Sequence, residues 1–177
     1  MKWFIKCLKH YADFKGRARR KEYWYFTLFN CIFAMILYIC YMVSTIIKGV
    51  ASGAITADEY NEMQIYSETL KSPFLYIYYA YLLAMLIPSL SVGMRRLHDI
   101  GKSGYWMLLL YIVDIILCFG SGFFVKTSVV ITIILFLAIL AIGIIWLVWM
   151  VTDSEYGPNK YGPNPKGEGN PETPVKE

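Results

Sequence analysis

TSVVITIILFLAILAIGIIWLVWMVT, residues 127–152, runs for 26 residues without a charged side chain. A helix needs about 20 predominantly apolar residues to cross a hydrocarbon layer about 30 Å thick, so this stretch is long enough to span a membrane. Working outward, Tyr23–Ile47 and Ser72–Met94 also carry no charge, and Ser103–Val125 carries only Asp114. The four stretches together hold 97 of the 177 residues, in a chain that is 57% hydrophobic. A soluble core breaks its apolar runs every 4 to 12 residues or so with polar positions. The pattern therefore predicts an all-α integral membrane protein. Its four-helix transmembrane bundle has spans at about 23–47, 72–94, 103–125 and 127–152, within a single membrane domain over 1–165. The remaining 80 residues are scattered over two tails and three loops, leaving no room for a separate soluble catalytic domain. The first apolar run, 25 residues, exceeds the roughly 7–15 of a secretory h-region, and no A-x-A site follows it, so it reads as a retained span.

Charge sets the expected orientation. Lys and Arg number eight in Met1–Glu22, three in the loop after the second span (Arg95, Arg96, Lys102) and three in the C-terminal tail. The other two loops hold Lys48, Lys71 and Lys126. The positive-inside rule then places both termini and the Arg95–Lys102 loop in the cytoplasm. The formal charge of +4 follows from this bias and predicts no nucleic-acid partner. Aromatic anchors agree: Tyr23, Trp24, Tyr25, Tyr105, Trp106, Trp146 and Trp149 fall at the inner interface, and Tyr38, Tyr41, Tyr76, Tyr78, Tyr79 and Tyr81 at the outer one. These rings are apolar with a polar tip that seeks water or headgroups.

Shorter elements flank the spans. Trp3, Phe4, Cys7, Leu8 and Tyr11 recur at helical spacing among Lys2, Lys6, Lys9 and His10, which predicts a short amphipathic helix on the inner leaflet, broken at Gly16. In the first outer loop, Thr56-Ala57-Asp58-Glu59 matches a capping box ahead of Tyr60, Met63, Tyr66 and Leu70, predicting a short helix over Ala57–Leu70. Pro88 lies inside the second span and removes the donor that would meet the Ala84 carbonyl, so a kink is expected there, with a hinge as the functional reading. Tyr156-Gly157-Pro158-Asn159 repeats as Tyr161-Gly162-Pro163-Asn164 and favours consecutive tight turns. From Lys166 the composition predicts a disordered cytoplasmic tail, 166–177.

Three segments resemble the signature stretches of one family. They are DFKGRARRKEYW (13–24), RRLHDIGKSGYW (95–106) and GPNKYGPNP (157–165). In this order they are similar to the domain-of-unknown-function family 805, the YhaH-like bacterial inner-membrane proteins. Tyr105 stands where that pattern has Trp, and 48–71 resembles a variable insertion. The resemblance implies a multi-pass protein of the bacterial cytoplasmic membrane; it implies no activity.

Candidate chemistry is sparse. Arg17, Arg19, Arg20, Arg95, Arg96 and Lys102 form a basic collar with His98, Asp99 and Ser103. Guanidinium forks match phosphate oxygens, so the collar is a candidate site for an anionic lipid headgroup or a partner protein. Against this stands simple topology setting with snorkelling side chains. Asp99 is expected to pair with a neighbouring arginine. Asp114 falls about 14 Å into its span, where a charge costs at least about 2.5–3.5 kcal/mol. It needs a partner such as Asn30, a tyrosine or a serine, as interhelical glue or as a proton- or ion-coupling group. Four cysteines without a C-x-x-C pair and two histidines predict neither a metal site nor a cofactor. No Ser-His-Asp, H-E-x-x-H or phosphate-cradling motif is present, so no catalytic residue is assigned. The sequence thus favours a non-catalytic envelope protein binding anionic membrane lipids, or a membrane partner, through its collar. The alternative is a small oligomeric transporter or channel, a homo-oligomer using Asp114 and the Pro88 kink.

Overall fold

The structure, a computed structural model, describes residues 2–53, 62–125 and 128–170. Six helices follow in order: α1 (Lys2–Lys9), α2 (Arg20–Ala51), α3 (Glu62–Leu70), α4 (Pro73–Asp99), α5 (Tyr105–Phe124) and α6 (Val129–Val151). Among the described residues there is no strand, only an isolated antiparallel bridge between Asn159 and Gly162. Four described helices, α2, α4, α5 and α6, are long and apolar enough to cross a membrane, as the uncharged stretches predict. Two of them outrun those stretches. α2 starts at Arg20 and has 32 residues, about 48 Å of helix. α4 continues through Arg95 and Arg96 to Asp99. The extensions Arg20–Glu22 and Arg95–Asp99 carry charged side chains at one end of the molecule, where both tails and the α4–α5 connection also lie. That end is called the collar end below.

The spans form two hairpins. α2 and α4 pair along their lengths: Ser44 and Ser72 hydroxyls lie 3.1 Å apart, Lys48 Nζ donates to the Lys71 carbonyl at 3.3 Å, and the Tyr38 and Tyr78 rings sit 5.9 Å apart. Tyr81, expected in the outer aromatic belt, instead donates its hydroxyl to Asn30 Oδ1 at 2.8 Å. α5 and α6 pair through Trp106 with Trp149 and Tyr111 with Trp146. At the collar end the hairpins meet through buried Leu97, Met107 and Met150, and Trp146 Nε1 donates to the Tyr23 hydroxyl at 3.1 Å. A Cβ at Gly93 would stand 2.7 Å from the Met107 sulfur, so the missing side chain makes room for the tip of Met107 against α4. Away from this end, large apolar side chains such as Leu83 and Phe119 are 70% and 78% exposed. In a spanning bundle, lipid covers such surface, and each helix meets its own backbone hydrogen-bonding needs.

α1 is helical as its periodicity predicts, and it packs on protein. Phe4 stacks on Phe26 with centroids 5.6 Å apart, and Cys7 is buried with Ala18, Phe26 and Val92. Gly16, at φ +80°, makes the turn into α2. Pro88 is buried within a continuous α4. The Ala84 carbonyl, which loses its helical donor to Pro88, accepts a hydrogen bond from the Tyr11 hydroxyl instead. In the opposite loop the described helix begins at Glu62; the expected capping box, Thr56–Glu59, lies outside the described residues. At the C-terminus, Lys166–Asn170 differ from the expected disorder. The Gly157 N–H donates to the Glu168 carbonyl at 3.1 Å, and Asn170 exchanges hydrogen bonds with Asn164. Residues 171–177 of that expectation lie outside the described residues.

Burial, with the nearby Glu22 carboxylate adding to it, pushes the Cys7 thiol up to about 12. A charged, water-soluble maleimide at pH 8 is therefore expected to leave Cys7 unmodified in the folded protein and to label it once detergent unfolds the chain. Mass spectrometry of the N-terminal peptide reads this, and full labelling before unfolding would contradict the packing of α1. Because the folded thiol titrates above the unfolded one, this packing contributes fully below the ordinary thiol range. Its contribution fades as pH rises towards about 12.

Candidate functional site

The charged residues at the collar end owe their arrangement to where helices stop. The last carbonyls of α6 have no helical donors and carry the negative end of its dipole, which favours cations. Arg96, from the last turn of α4, fills that role. Its Nη2 donates to the Thr152 carbonyl, its Nε to Met150 O at 3.4 Å, and its Nη1 to Asp99 Oδ2 at 2.7 Å. Arg20 adds a hydrogen bond to Val151 O at 3.1 Å and an ion pair with Asp153 at 2.9 Å.

Asp99 sits between two arginines, as its expected pairing requires. Arg17 Nε donates to its Oδ1 at 3.0 Å from the opposite side to Arg96, and the three side chains are at most 1% exposed. The Ser154 hydroxyl donates to Oδ2 at 2.5 Å. A buried carboxylate is tolerable only with partners of this kind. The rest of the Arg17 guanidinium is taken by backbone: Nη1 donates to Gly157 O at 2.8 Å, and Nη2 to Glu155 O at 2.7 Å and Asp99 O at 3.2 Å. Arg19 donates to the Pro165 carbonyl. The Gly-Pro-Asn repeat is thus a strap laid across the collar. Gly157, at φ +73°, turns its carbonyl to Arg17. Asn159 Nδ2 donates to His98 O at 3.0 Å, and Asn164 Nδ2 to Glu155 O at 3.0 Å. Tyr161 stacks on the His98 ring at 3.8 Å and 8°. Asp153, outside the spans, is held below its ordinary range by the Lys166 ammonium, then by the Ser154 N–H and Arg20.

A second buried pair lies under α1. Glu22 is 0% exposed and accepts from Arg95 Nη1 at 2.8 Å and Lys6 Nζ at 2.7 Å. Arg95 Nε and Nη2 are buried without a hydrogen-bond partner among the described residues. Sequence reasoning missed Glu22 as a member of the site and missed the whole strap. The first-turn acid beside a basic run was the available signal for Glu22. The Asn residues between Gly-Pro turns were the only sign of the strap, and turn composition alone does not say what a turn caps.

The other residues that the sequence singles out separate from this network. Lys102 stacks its ammonium 4.8 Å over Trp149. Ser103 Oγ accepts from the Tyr105 N–H at 3.4 Å. Ser103, His98 and Tyr161 line a groove of about 460 Å³ with Phe14, Met94 and Tyr105. His98 Nδ1 lies 3.2 Å from the Gly16 carbonyl, so that nitrogen carries the proton when the pair is hydrogen-bonded. Asn30 is committed to Tyr81. No hydrogen bond or ion pair reaches Asp114 among the described residues; it lines a separate cavity between α5 and α6. Among the described residues no three His, Cys, Asp or Glu side chains converge as metal ligands.

These features define a class: a helical membrane protein with four spans whose ends are tied together by buried arginine–carboxylate pairs and a C-terminal strap. The chain belongs to the family described as Protein of unknown function (DUF805), whose model matches residues 11–163. It is 38% identical over 112 residues to the inner membrane protein YhaI of Escherichia coli (strain K12), covering 63% of this chain and 73% of that one. It is 33% identical over 112 residues to the inner membrane protein YhaH of the same strain, covering 63% and 74%. No solved structure matches the chain. The matched region contains Arg17, Asp99 and Asn159, and the family's description assigns no function.

Asp99→Asn leaves two buried guanidinium groups without their shared anion. The expected cost is about 3–5 kcal/mol, read by unfolding of the purified protein, with faster trypsin cleavage at Lys160 and Lys166 as the strap loosens. Wild-type unfolding together with wild-type cleavage would refute this account of Asp99. The Asp153 shift gives a second expectation. A depressed carboxyl stabilises the fold above its ordinary range and stops doing so as pH falls through the lowered value. Cleavage of the strap should therefore rise below about pH 3.8, tested with an acid protease, and less so in Asp153→Asn.

Proposed function

We propose that this protein is a non-catalytic envelope component, with both termini in the cytoplasm, that binds anionic phospholipid headgroups at its collar end. The observation that carries this reading is the groove lined by Phe14, Met94, His98, Ser103, Tyr105 and Tyr161. Tyr105 is 79% exposed and opens α5, at the level where interfacial aromatic rings meet headgroups. Phe14 and Met94 offer the apolar floor that the top of an acyl chain needs. Lys160 stands 5.0 Å over the Tyr161 ring, and Lys15 follows Phe14 in an exposed position. Lysines of this kind attract an anionic surface by about 1 kcal/mol each.

This division of labour refines the expectation drawn from the collar as a whole. Arg17 and Arg96 spend their donors on Asp99 and on backbone carbonyls; they hold the walls, while the lysines, His98 and Ser103 face the ligand. The cytoplasmic placement rests on the excess of Lys and Arg at this end.

Lys15→Ala combined with Lys160→Ala is expected to cut retention of phosphatidylglycerol, measured by native mass spectrometry from mixed phosphatidylglycerol and phosphatidylcholine nanodiscs, by several-fold. Unfolding should not change. Equal retention of the anionic lipid by variant and wild type would remove the proposal.

A further inference from the structure

We infer that the cavity beside Asp114 is a binding site for an organic cation, an ammonium group carried on an apolar body. Asp114 is on α5, and the cavity, about 190 Å³, is walled by Met107 and Tyr111 from the same helix and by Ile142, Gly143 and Trp146 from α6. No hydrogen bond or ion pair reaches the carboxyl among the described residues, yet it is the tenth of the 20 residues of α5. The described parts of the four spans contain Lys, Arg and His only near their ends, so no cation of these spans can slide across to neutralise it. An ionised carboxylate at this depth is expensive, and a cation beside it offsets that cost.

The walls specify what fits. Tyr111 and Trp146 present aromatic rings 6.2 Å apart on the two helices, and ring faces attract cations, most strongly when both are desolvated. Met107 and Ile142 supply apolar contact and no hydrogen-bond donor that would suit an anion. Gly143 has open space where a Cβ would stand, with nothing within 4 Å, so the cavity owes part of its width to the missing side chain. Met107, Tyr111 and Trp146 also border a second cavity of about 140 Å³, lined by Tyr23, Thr27 and Ser89 and by Asn30. The polar groups are gathered around one aromatic wall. An acidic group, two aromatic rings and a shallow apolar pocket together match a lipophilic ammonium better than an anion, a sugar or a metal ion. This site shares no residue with the headgroup groove, and each stands without the other.

The probe is benzyltrimethylammonium, with neopentylbenzene as its uncharged carbon isostere. Both are measured by equilibrium dialysis against the full chain in phosphatidylcholine nanodiscs, with empty discs subtracted. Wild type is expected to bind the cation saturably and to prefer it to the isostere by at least about tenfold. Asp114→Asn, nearly isosteric, should abolish that preference and leave the isostere unaffected. Gly143→Leu adds a side chain into open space without touching the charge, and should weaken both probes. Absence of saturable cation binding to wild type would overturn the inference, as would an unchanged preference in Asp114→Asn. If Asp114→Asn fails to fold, full-strength binding of both probes by Gly143→Leu overturns it independently.

Discussion

One carboxylate, Asp99, holds the collar end together. It terminates α4, binds Arg96 of its own helix, receives Arg17 from the segment before α2, and takes the Ser154 hydroxyl from the strap. Removing any one of these groups leaves a charge or donor buried without its match, which costs more than the intact pair contributes. Through Arg96 the same cluster reaches the α6 carbonyls. The spanning helices are therefore positioned by a polar network at the end where their apolar packing is also densest.

That location has a physical reason. Within hydrocarbon, apolar side chains gain little by exchanging lipid for protein neighbours. The two hairpins consequently need not close tightly along their whole length, and cavities persist between and beside them. Where the helices emerge, water and headgroups compete for every charge, and a network with its partners in place is what excludes them. Pro88 illustrates the same rule inside the membrane. The carbonyl it frees must find a donor, and the Tyr11 hydroxyl provides one. The segment after α1 is thereby tied to the bundle, on which α1 itself packs through Phe4 and Cys7.

Much of the fold was legible in the chain. The uncharged lengths at Tyr23–Ile47, Ser72–Met94, Ser103–Val125 and Thr127–Thr152 marked the four helices because membrane thickness sets a length that soluble helices seldom keep apolar. Their ends were less legible, since α2 and α4 run on into charged residues that look like loop when read by composition. Of the site, Asp99 with its arginines was legible too. Glu22, the strap and the groove under Tyr161 were not, because each depends on contacts between residues more than 60 positions apart, such as Arg17 with Gly157 or Asn159 with His98. Asp114 stood out at once as a lone acid. Its lack of a protein partner among the described residues emerged only when Asn30 proved to be engaged by Tyr81.

The sequence by itself determined that this chain crosses a membrane four times through helices, since apolar length and the need to satisfy the backbone in lipid leave no other solution. Its three charged signature segments also determined the family. Only the tertiary structure decided how those segments are used: whether an arginine faces outward or inward depends on which carbonyl or carboxylate folding brings within about 3 Å. Linear spacing cannot encode that distance where the groups that meet lie far apart in the chain, as Arg17 and Gly157 do.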